Sequence, residues 1–162
     1  MMLFAVGHGV GGGLVLGGRS LFGSRFAAGE IGHVTVGTDG GPTCACGKQG
    51  CLEAWLSAPR LEEALSLAED DEARTAVLVA AGTRLGIALA PVVGALDLSE
   101  VVLTGPRHLI DGDLAEAALR TLRLRTLPQF HDHVEVRQSS LGADIVLRGA
   151  AAGVVSARLG VS

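Results

Sequence analysis

Three cysteines and one histidine in the first third of the chain have the types and spacing of metal ligands. Cys44, Cys46 and Cys51 form a C-x-C-x4-C pattern, and His33 precedes the pattern across a glycine-rich segment. Three thiolates and one imidazole complete the tetrahedral coordination of a structural zinc ion and leave no open position for catalysis. The alternative is three buried cysteines without a metal. The close spacing favours zinc, because an odd number of clustered thiols suits a metal in a reducing compartment better than a disulfide framework.

Two carboxylates adjoin these ligands. Glu30 precedes His33 by three residues, and Glu53 follows Cys51 by two. Carboxylates accept hydrogen bonds from vicinal hydroxyls, and a zinc-bound histidine keeps a second ring nitrogen that can donate one. The residues therefore suit a sugar site. A structural alternative is equally open from the residues alone: Glu30 caps a turn, and Glu53 begins a helix whose dipole favours a carboxylate.

The remaining histidines lack such neighbours. His108 follows a predicted strand, and His131 and His133 lie in a polar segment. We expect all three on the solvated surface, where an imidazole needs no partner. His8 lies elsewhere, between Gly7 and Gly9 in the glycine-rich segment.

The positions of the glycines divide the chain in two. Fifteen of the 24 glycines lie in residues 1–50. Apolar runs at residues 3–6 and 14–16 bracket residues 7–13, which predicts one or two glycine-rich strands turning over a ligand or another backbone. Gly17 and Gly18 predict a hairpin turn. Residues 33–36 predict a further strand, followed by a polar loop to Gly50.

The second half alternates helices and strands. Ser57 and Pro59 mark a break at which a second helix starts, and Asp113 with Glu116 forms a capping-box pattern. This order of elements implies an α/β fold with a partly parallel, mixed sheet flanked by helices. Periodicity predicts, in chain order, helices over 52–67 and 71–96, a strand at 101–103, a helix over 113–127, a strand at 134–136 and a helix over 145–159.

Composition excludes several classes of protein. The chain has 162 residues, of which 48% are hydrophobic and 19% charged, so it has the length of one domain and is not intrinsically disordered. A net charge of -4 gives no attraction to nucleic acid or to an anionic membrane. The first residues lack a basic signal-peptide region, and no run reaches the roughly 18 uninterrupted apolar residues of a membrane helix. These features predict a cytoplasmic protein without a membrane partner.

The motifs together resemble one family closely. They are similar to the core signature of the ROK family of repressors, open reading frames and sugar kinases, and the cysteine motif is the most specific of them. The resemblance covers the whole chain. It implies a lobe of the actin-like ATPase, ribonuclease H-like fold, with residues 1–162 as the C-terminal lobe and residues 33–51 as a zinc loop within it. The residues that carry it are 9–15 (GVGGGLV), 28–33 (AGEIGH) and 44–53 (CACGKQGCLE).

The resemblance also implies roles for individual residues. The zinc ligands it implies are His33, Cys44, Cys46 and Cys51. The residues that would bind the hydroxyls of a sugar or amino sugar are Glu30, His33 and Glu53. In kinases of the family the glycine-rich hairpin lies near the nucleotide phosphates and the segment after the later strand lies near the adenosine. The implied cofactor contacts are therefore Gly9, Gly11, Gly12 and Gly105.

The chain departs from the family in length. A member is about twice as long, and the other half carries the Asp-x-Gly-Gly-Thr phosphate strand and the aspartate that deprotonates the sugar. Residues 39–43 imitate the phosphate motif, but they lie in the zinc loop with no strand before them. Without a general base, phosphoryl transfer has no proton acceptor. We therefore expect no catalytic residue in this chain, and ATP as a cofactor only if the parent protein is a kinase.

Two further departures favour a regulator. Kinases of the family usually carry Thr where His8 stands, and paired glycines where this chain has Thr104-Gly105-Pro106. We expect the sugar-binding effector and dimerisation lobe of a transcriptional regulator, which forms a homodimer and contacts DNA only through a segment outside this chain. The alternative is the C-terminal lobe of a glucokinase-like, ATP-dependent sugar kinase. A third reading is a lobe kept for dimerisation alone.

Overall fold

In residues 1–37 and 40–159, which the computed structural model describes, the backbone forms one five-stranded mixed sheet. The strand order is β3-β2-β1-β4-β5. β1 pairs antiparallel with β2, and β2 with β3, while β1 pairs parallel with β4, and β4 with β5. The predicted mixed sheet is therefore confirmed. The strands are β1 (Met2–Val6), β2 (Val10–Leu16), β3 (Arg19–Leu21), β4 (Glu100–Thr104) and β5 (Glu135–Gln138).

Six of the seven α-helices in residues 1–37 and 40–159 lie in the connections between the parallel strands of this sheet, and the seventh follows its last strand. β4 and β5 are joined through three helices, as parallel neighbours require a crossover. Short 3₁₀ turns occur at Ile31–His33 and Gly142–Asp144. The α-helices are α1 (Leu52–Leu56), α2 (Ala58–Ser66), α3 (Asp71–Leu96), α4 (Arg107–Ile110), α5 (Asp113–Arg125), α6 (Pro128–His131) and α7 (Ile145–Leu159).

The main core lies between the sheet and the pair α3 and α5. Residues of β1 alternate, so that Met2, Phe4 and Val6 are buried while Leu3 and Ala5 are only partly covered. Such alternation is expected of a strand whose two faces differ in environment. Six α3 and α5 side chains in this core are fully buried, namely Leu85, Leu89, Val93, Leu114, Ala118 and Leu122.

Helix α3 is 26 residues long and apolar for most of its length. By length and composition alone it could cross a membrane, although 44% of its most apolar window is buried inside the protein. Core helices of proteins that never enter a membrane pass the same test, and α3 packs on α5, α1 and α2. The absence of a membrane partner therefore stays a prediction.

Helix α7 contrasts with α3 because it presents most of its apolar side chains to solvent. Val146 and Leu147 are 73% and 72% exposed. Its other side lines a cavity of about 880 Å³ against the second face of the sheet, where Leu3 and Val102 lie. This face is thus much less covered than the one that packs on α3 and α5.

Several predicted elements are confirmed by the structure. The helices over 71–96 and 145–159 have the predicted bounds. Gly17 and Gly18 form the hairpin turn between β2 and β3. Ser57 is the residue before α2, and Pro59 lies in its first turn, although the Ser57 side chain makes no capping hydrogen bond.

Two predicted elements are wrong. Residues 33–36 form no strand of the sheet, because Ile31–His33 is a 3₁₀ turn and only Thr35 then pairs, with Cys51. The capping box at Asp113 is also absent. Gly112, with a φ of 62°, is the cap residue of α5, and the Asp113 carboxylate instead accepts a hydrogen bond from Thr75 Oγ1 at 3.1 Å. Its charge still favours the helix N-terminus.

Candidate metal centre and sugar site

The four predicted metal ligands come together. One ligand atom from each of His33, Cys44, Cys46 and Cys51 lies within 4.8 Å of all the others. The Sγ atoms of Cys46 and Cys51 are 3.6 Å apart, and Cys44 Sγ is 3.6 Å from His33 Nδ1. Zinc bonds of about 2.3 Å to sulfur and about 2.0 Å to nitrogen give tetrahedral edges of roughly 3.5 to 3.8 Å. The residues therefore fit a tetrahedral metal ion.

Tight turns in the zinc loop, residues 33–51, place the three thiols on one side. Cys44 N donates to Lys48 O at 2.8 Å, and Gly47 N donates to Cys44 O at 2.9 Å. Gly47 and Gly50 have φ values of 87° and 72°. These conformations favour glycine, because a Cβ atom destabilises them. The turns that bring the cysteines together thus favour glycine at both positions.

The thiols differ in how readily they ionise. A hydrogen bond from the backbone N–H of Lys48 lowers the pKa of the Cys46 thiol to about 7. Burial raises the pKa of the Cys51 thiol to about 11. A metal binds the thiolate, so metal uptake at neutral pH must displace a proton from Cys51.

Glu53 connects this centre to the glycine-rich hairpin, residues 7–13. Its Oε2 accepts a hydrogen bond from Val10 N at 3.0 Å, and its Oε1 lies 3.6 Å from Cys44 Sγ. Glu53 is also the second residue of α1, as the structural alternative for it predicted. Cys44 Sγ thus lies 3.6 Å from both His33 Nδ1 and Glu53 Oε1. Two of the three predicted sugar-binding residues are held around one sulfur atom.

Glu30 is exposed, three residues before His33 of this group. It is the cap residue of the turn Ile31–His33, and His33 N donates to its carbonyl oxygen at 3.4 Å. Glu30 thus occupies the cap position that the structural alternative predicted, but its carboxylate makes no capping hydrogen bond. The Glu30 side chain is therefore available to a ligand.

Gly29 and Gly32 allow the segment 29–32, called here the Glu30 segment, to lie directly on β2. Gly12 N donates to Gly29 O at 2.9 Å. A Cβ atom on Gly29 would lie 2.0 Å from Gly12 O, and one on Gly32 would lie 2.0 Å from Val10 O. No side chain fits at either position, so the close approach depends on both glycines.

A cavity of about 700 Å³ lies on the other side of the hairpin. Three of the four glycines predicted to contact a cofactor line it, namely Gly9, Gly11 and Gly105. Gly12 does not, because the position of its Cβ faces the Met2 side chain and Gly29 O. The structure therefore gives Gly12 a packing role beneath the Glu30 segment.

Two residues of this cavity were not identified from the sequence. Arg107 Nε donates to Gln138 Oε1 at 3.0 Å, and both side chains line the cavity. Arg107 follows β4 and Gln138 ends β5. The available signal was that neighbouring parallel strands end at the same edge of a sheet, where α/β proteins bind ligands.

The histidines outside the metal centre lie at the surface where the structure describes them. His8 is exposed in the turn between β1 and β2. His108 and His133 have exposed side chains, at 67% and 94%, as predicted. The side chain of His131 and all of Asp39, from the phosphate-like motif, lie outside the described residues.

Comparisons with known proteins agree on the family. The sequence matches the ROK family over residues 1–156. A glucokinase of Halalkalibacterium halodurans is 32% identical over 89% of this chain and 52% of its own length. The chain spans about half the length of the curated relatives it matches.

Solved structures include both a kinase and a regulator. A ROK hexokinase from Thermus thermophilus has a TM-score of 0.75 and 36% identity, covering 94% of this chain and 56% of that one. A ROK family transcriptional regulator, a homologue of the E. coli MLC protein, has a TM-score of 0.72 and 25% identity, covering 85% and 41%. The fold is that of an actin-like ATPase lobe. The chain belongs to the ROK family.

Proposed function

We propose that residues 1–162 are the C-terminal, sugar-binding lobe of a two-lobed ROK protein. One observation carries the proposal: Cys44 Sγ lies 3.6 Å from both His33 and Glu53, which groups an imidazole with a carboxylate, and Glu30 is exposed beside them. Carboxylates and a ring N–H are suitable partners for adjacent sugar hydroxyls. The ligand is therefore a sugar or amino sugar.

Zinc is the metal we propose for the centre, with His33, Cys44, Cys46 and Cys51 as its ligands. When bound, the ion supplies a rigid crosslink, since four protein ligands leave no coordination position for a reactant. His33 directs Nδ1 toward the sulfur atoms, so Nε2 remains free to donate a hydrogen bond. The loop thus orients a sugar-binding imidazole.

We further propose that this lobe is the effector and dimerisation lobe of a transcriptional regulator in the cytoplasm. His8 stands at the hairpin turn, where an imidazole is larger than the Thr of the kinases. Pro106 follows Gly105 in the lining of the cavity and cannot donate a backbone hydrogen bond. Sugar binding would shift the closure of the lobes and the dimer geometry. DNA would be contacted by another segment.

A second candidate, the lobe of an ATP-dependent sugar kinase, is favoured by the comparisons. The two kinases are 32% and 36% identical to this chain, and the regulator 25%. The 700 Å³ cavity lined by Gly9, Gly11 and Gly105 has the size of a nucleotide site. The chain alone is expected to be inactive in this case too, because the general base would come from the other lobe.

One experiment separates the two candidates. The complete two-lobed protein is titrated with hexoses and N-acetylhexosamines by calorimetry, with and without ATP, and ATP turnover is followed in parallel. Sugar binding without turnover supports the regulator, and sugar-dependent turnover supports the kinase. If no sugar binds, the sugar-site proposal fails and a lobe kept for dimerisation remains.

Replacing Glu30 with alanine is expected to weaken sugar affinity roughly 10-fold to 100-fold, because a hydrogen bond to a charged group contributes about 1.5 to 3 kcal/mol. The variant should fold normally, since the carboxylate is exposed and caps no helix. Calorimetry measures the affinity. Glu69→Ala, at another exposed carboxylate, is the control and should bind the sugar unchanged. Equal affinities of Glu30→Ala and the unmodified protein would contradict the assignment.

A further inference from the structure

The three thiols of the metal centre differ in their access to solvent. Cys44 is 3% exposed and Cys51 is fully buried. Cys46 is exposed, on the outer turn of the zinc loop. Oxidants reach exposed thiolates far more readily than buried ones. Of the three thiols, one is therefore open to chemical attack from solvent.

The exposed thiol has a reaction partner at short range. Cys51 Sγ lies 3.6 Å from Cys46 Sγ. A disulfide needs a sulfur–sulfur distance of about 2.05 Å, so the two atoms must approach by roughly 1.5 Å. Gly47 and Gly50 lie between the two cysteines and permit such an adjustment of the backbone. Oxidation at Cys46 can therefore proceed to a disulfide without unfolding the sheet.

We propose that Cys46 is an oxidation site at which a hydroperoxide converts the metal centre to a Cys46–Cys51 disulfide and releases the metal. The Cys46 thiolate attacks a peroxide oxygen; the O–O bond breaks, and a sulfenic acid and hydroxide form. The Cys51 thiolate then attacks the sulfenic sulfur; the S–S bond forms and the S–O bond breaks, releasing a second hydroxide. Two thiolates lose two electrons, and hydrogen peroxide with two protons becomes two waters.

The consequence for the metal follows from the ligand count. After the disulfide forms, only His33 and Cys44 remain as ligands, and a structural zinc ion requires four. Cys44 Sγ is also the atom around which His33 and Glu53 are grouped. Oxidation thus loosens the segment that carries the proposed sugar-binding residues. The chemistry itself does not depend on the sugar proposal.

The sequence offers a direct test, because Lys48 is the only lysine and lies between Cys46 and Cys51. Zinc-loaded protein is treated with hydrogen peroxide and then alkylated, denatured and cut by lysyl endopeptidase. A disulfide to Cys51 keeps fragments 1–48 and 49–162 joined on a non-reducing gel. Tandem mass spectrometry identifies whether Cys46 or Cys44 is the partner. A colorimetric chelator follows zinc release over the same time course.

We expect joined fragments, a Cys46–Cys51 link, and zinc release at the same rate, all reversed by dithiothreitol and added zinc. Separated fragments, with Cys44 joined to Cys46 or with Cys46 as sulfinic acid, would overturn the proposal. So would zinc retained through the treatment. A Cys44–Cys51 link would also overturn it, because the buried thiol would then be the one attacked.

A variant supplies a second, independent readout. Cys46→His keeps a zinc-binding nitrogen but removes the oxidisable sulfur. It should release zinc at least tenfold more slowly under the same peroxide. If the variant does not fold, alkylation of the unmodified zinc-loaded protein decides the same point. Iodoacetamide must then modify Cys46 before Cys44 and Cys51, and any other order contradicts the proposal.

Discussion

Replacing Gly82 with alanine is expected to destabilise the protein by about 2 kcal/mol or more, as overpacking of a filled core does. The reason is the contact between α3 and α5. A Cβ atom on Gly82 would lie 2.2 Å from Leu114 O and 2.9 Å from Ala117 Cβ. Both neighbours are in α5, and the closer one is backbone, so the clash cannot be relieved by rotating a side chain. The helices would have to separate.

The same substitution in the same helix should have the opposite effect at Gly94. Among residues 1–37 and 40–159, no heavy atom outside the neighbouring backbone of α3 lies within 4 Å of a Cβ atom there, and the residue is exposed. Alanine is favoured over glycine in a helix interior by roughly 0.5 to 1 kcal/mol. Gly94→Ala is therefore expected to stabilise the protein by about that amount. The pair of variants separates packing from helix propensity.

Urea unfolding of both variants, followed by circular dichroism, measures the free energies of unfolding. Gly86→Ala should resemble Gly82→Ala, because its Cβ atom would lie 2.6 Å from Ala118 O and 2.6 Å from Thr121 Cβ. Stabilisation by Gly82→Ala would show that α3 and α5 are further apart than described. If Gly94→Ala lowered the free energy of unfolding as much as Gly82→Ala, the destabilisation at Gly82 would not be steric.

Sequence periodicity predicted the long elements of this fold but not their contacts. The bounds of α3 and α7 follow from local spacing, which a sequence displays directly. The role of Gly82 does not, because its neighbour Leu114 belongs to another helix. The capping box failed for a related reason: the Asp113 carboxylate bonds to Thr75, in α3. Local patterns do not report such competition between distant partners.

In the candidate site, too, features set by local spacing were predictable and contacts between distant residues were not. The clustering of the four predicted metal ligands was predictable because three of them lie within eight positions and the zinc loop closes over short distances. The hydrogen bond from Val10 N to Glu53 was not, since the two residues are 43 positions apart. The close contact between Gly12 and Gly29 was not predictable from the glycine pattern either, because a strand glycine serves a ligand or another backbone equally well. Only the three-dimensional arrangement distinguishes these uses.

Replacing Cys51 with serine is expected to remove about one zinc ion per chain and to destabilise the protein by several kcal/mol. Metal-binding energy is folding energy when the unfolded chain has no site. A metal present at 1,000 times its dissociation constant contributes about 4.1 kcal/mol. Elemental analysis measures the zinc, and thermal unfolding with and without a chelator measures the stability. Chelation should lower the melting temperature of the unmodified protein and leave that of Cys51→Ser unchanged.

The destabilisation caused by Cys51→Ser should be confined to the zinc loop and its neighbours, unlike the destabilisation caused by Gly82→Ala. Cys44, Cys51 and Ala54 form a small buried cluster separate from the main core between the sheet and the helices. Loss of the metal should therefore raise hydrogen exchange first in residues 30–37 and 40–53, and at Val10, whose N–H is bonded to Glu53. The paired α3 and α5 should stay protected. Gly82→Ala should instead raise exchange in both helices.

Ala45→Ser is the matched control for Cys51→Ser, because Ala45 lies between two ligands and is exposed. It should keep the zinc and the melting temperature. Full zinc content in Cys51→Ser would contradict the ligand assignment. A folded, metal-free protein with unchanged exchange in the zinc loop would contradict the structural role of the metal. The loop would then be held by its backbone hydrogen bonds and by Glu53, and the sugar-binding group would need no metal to form.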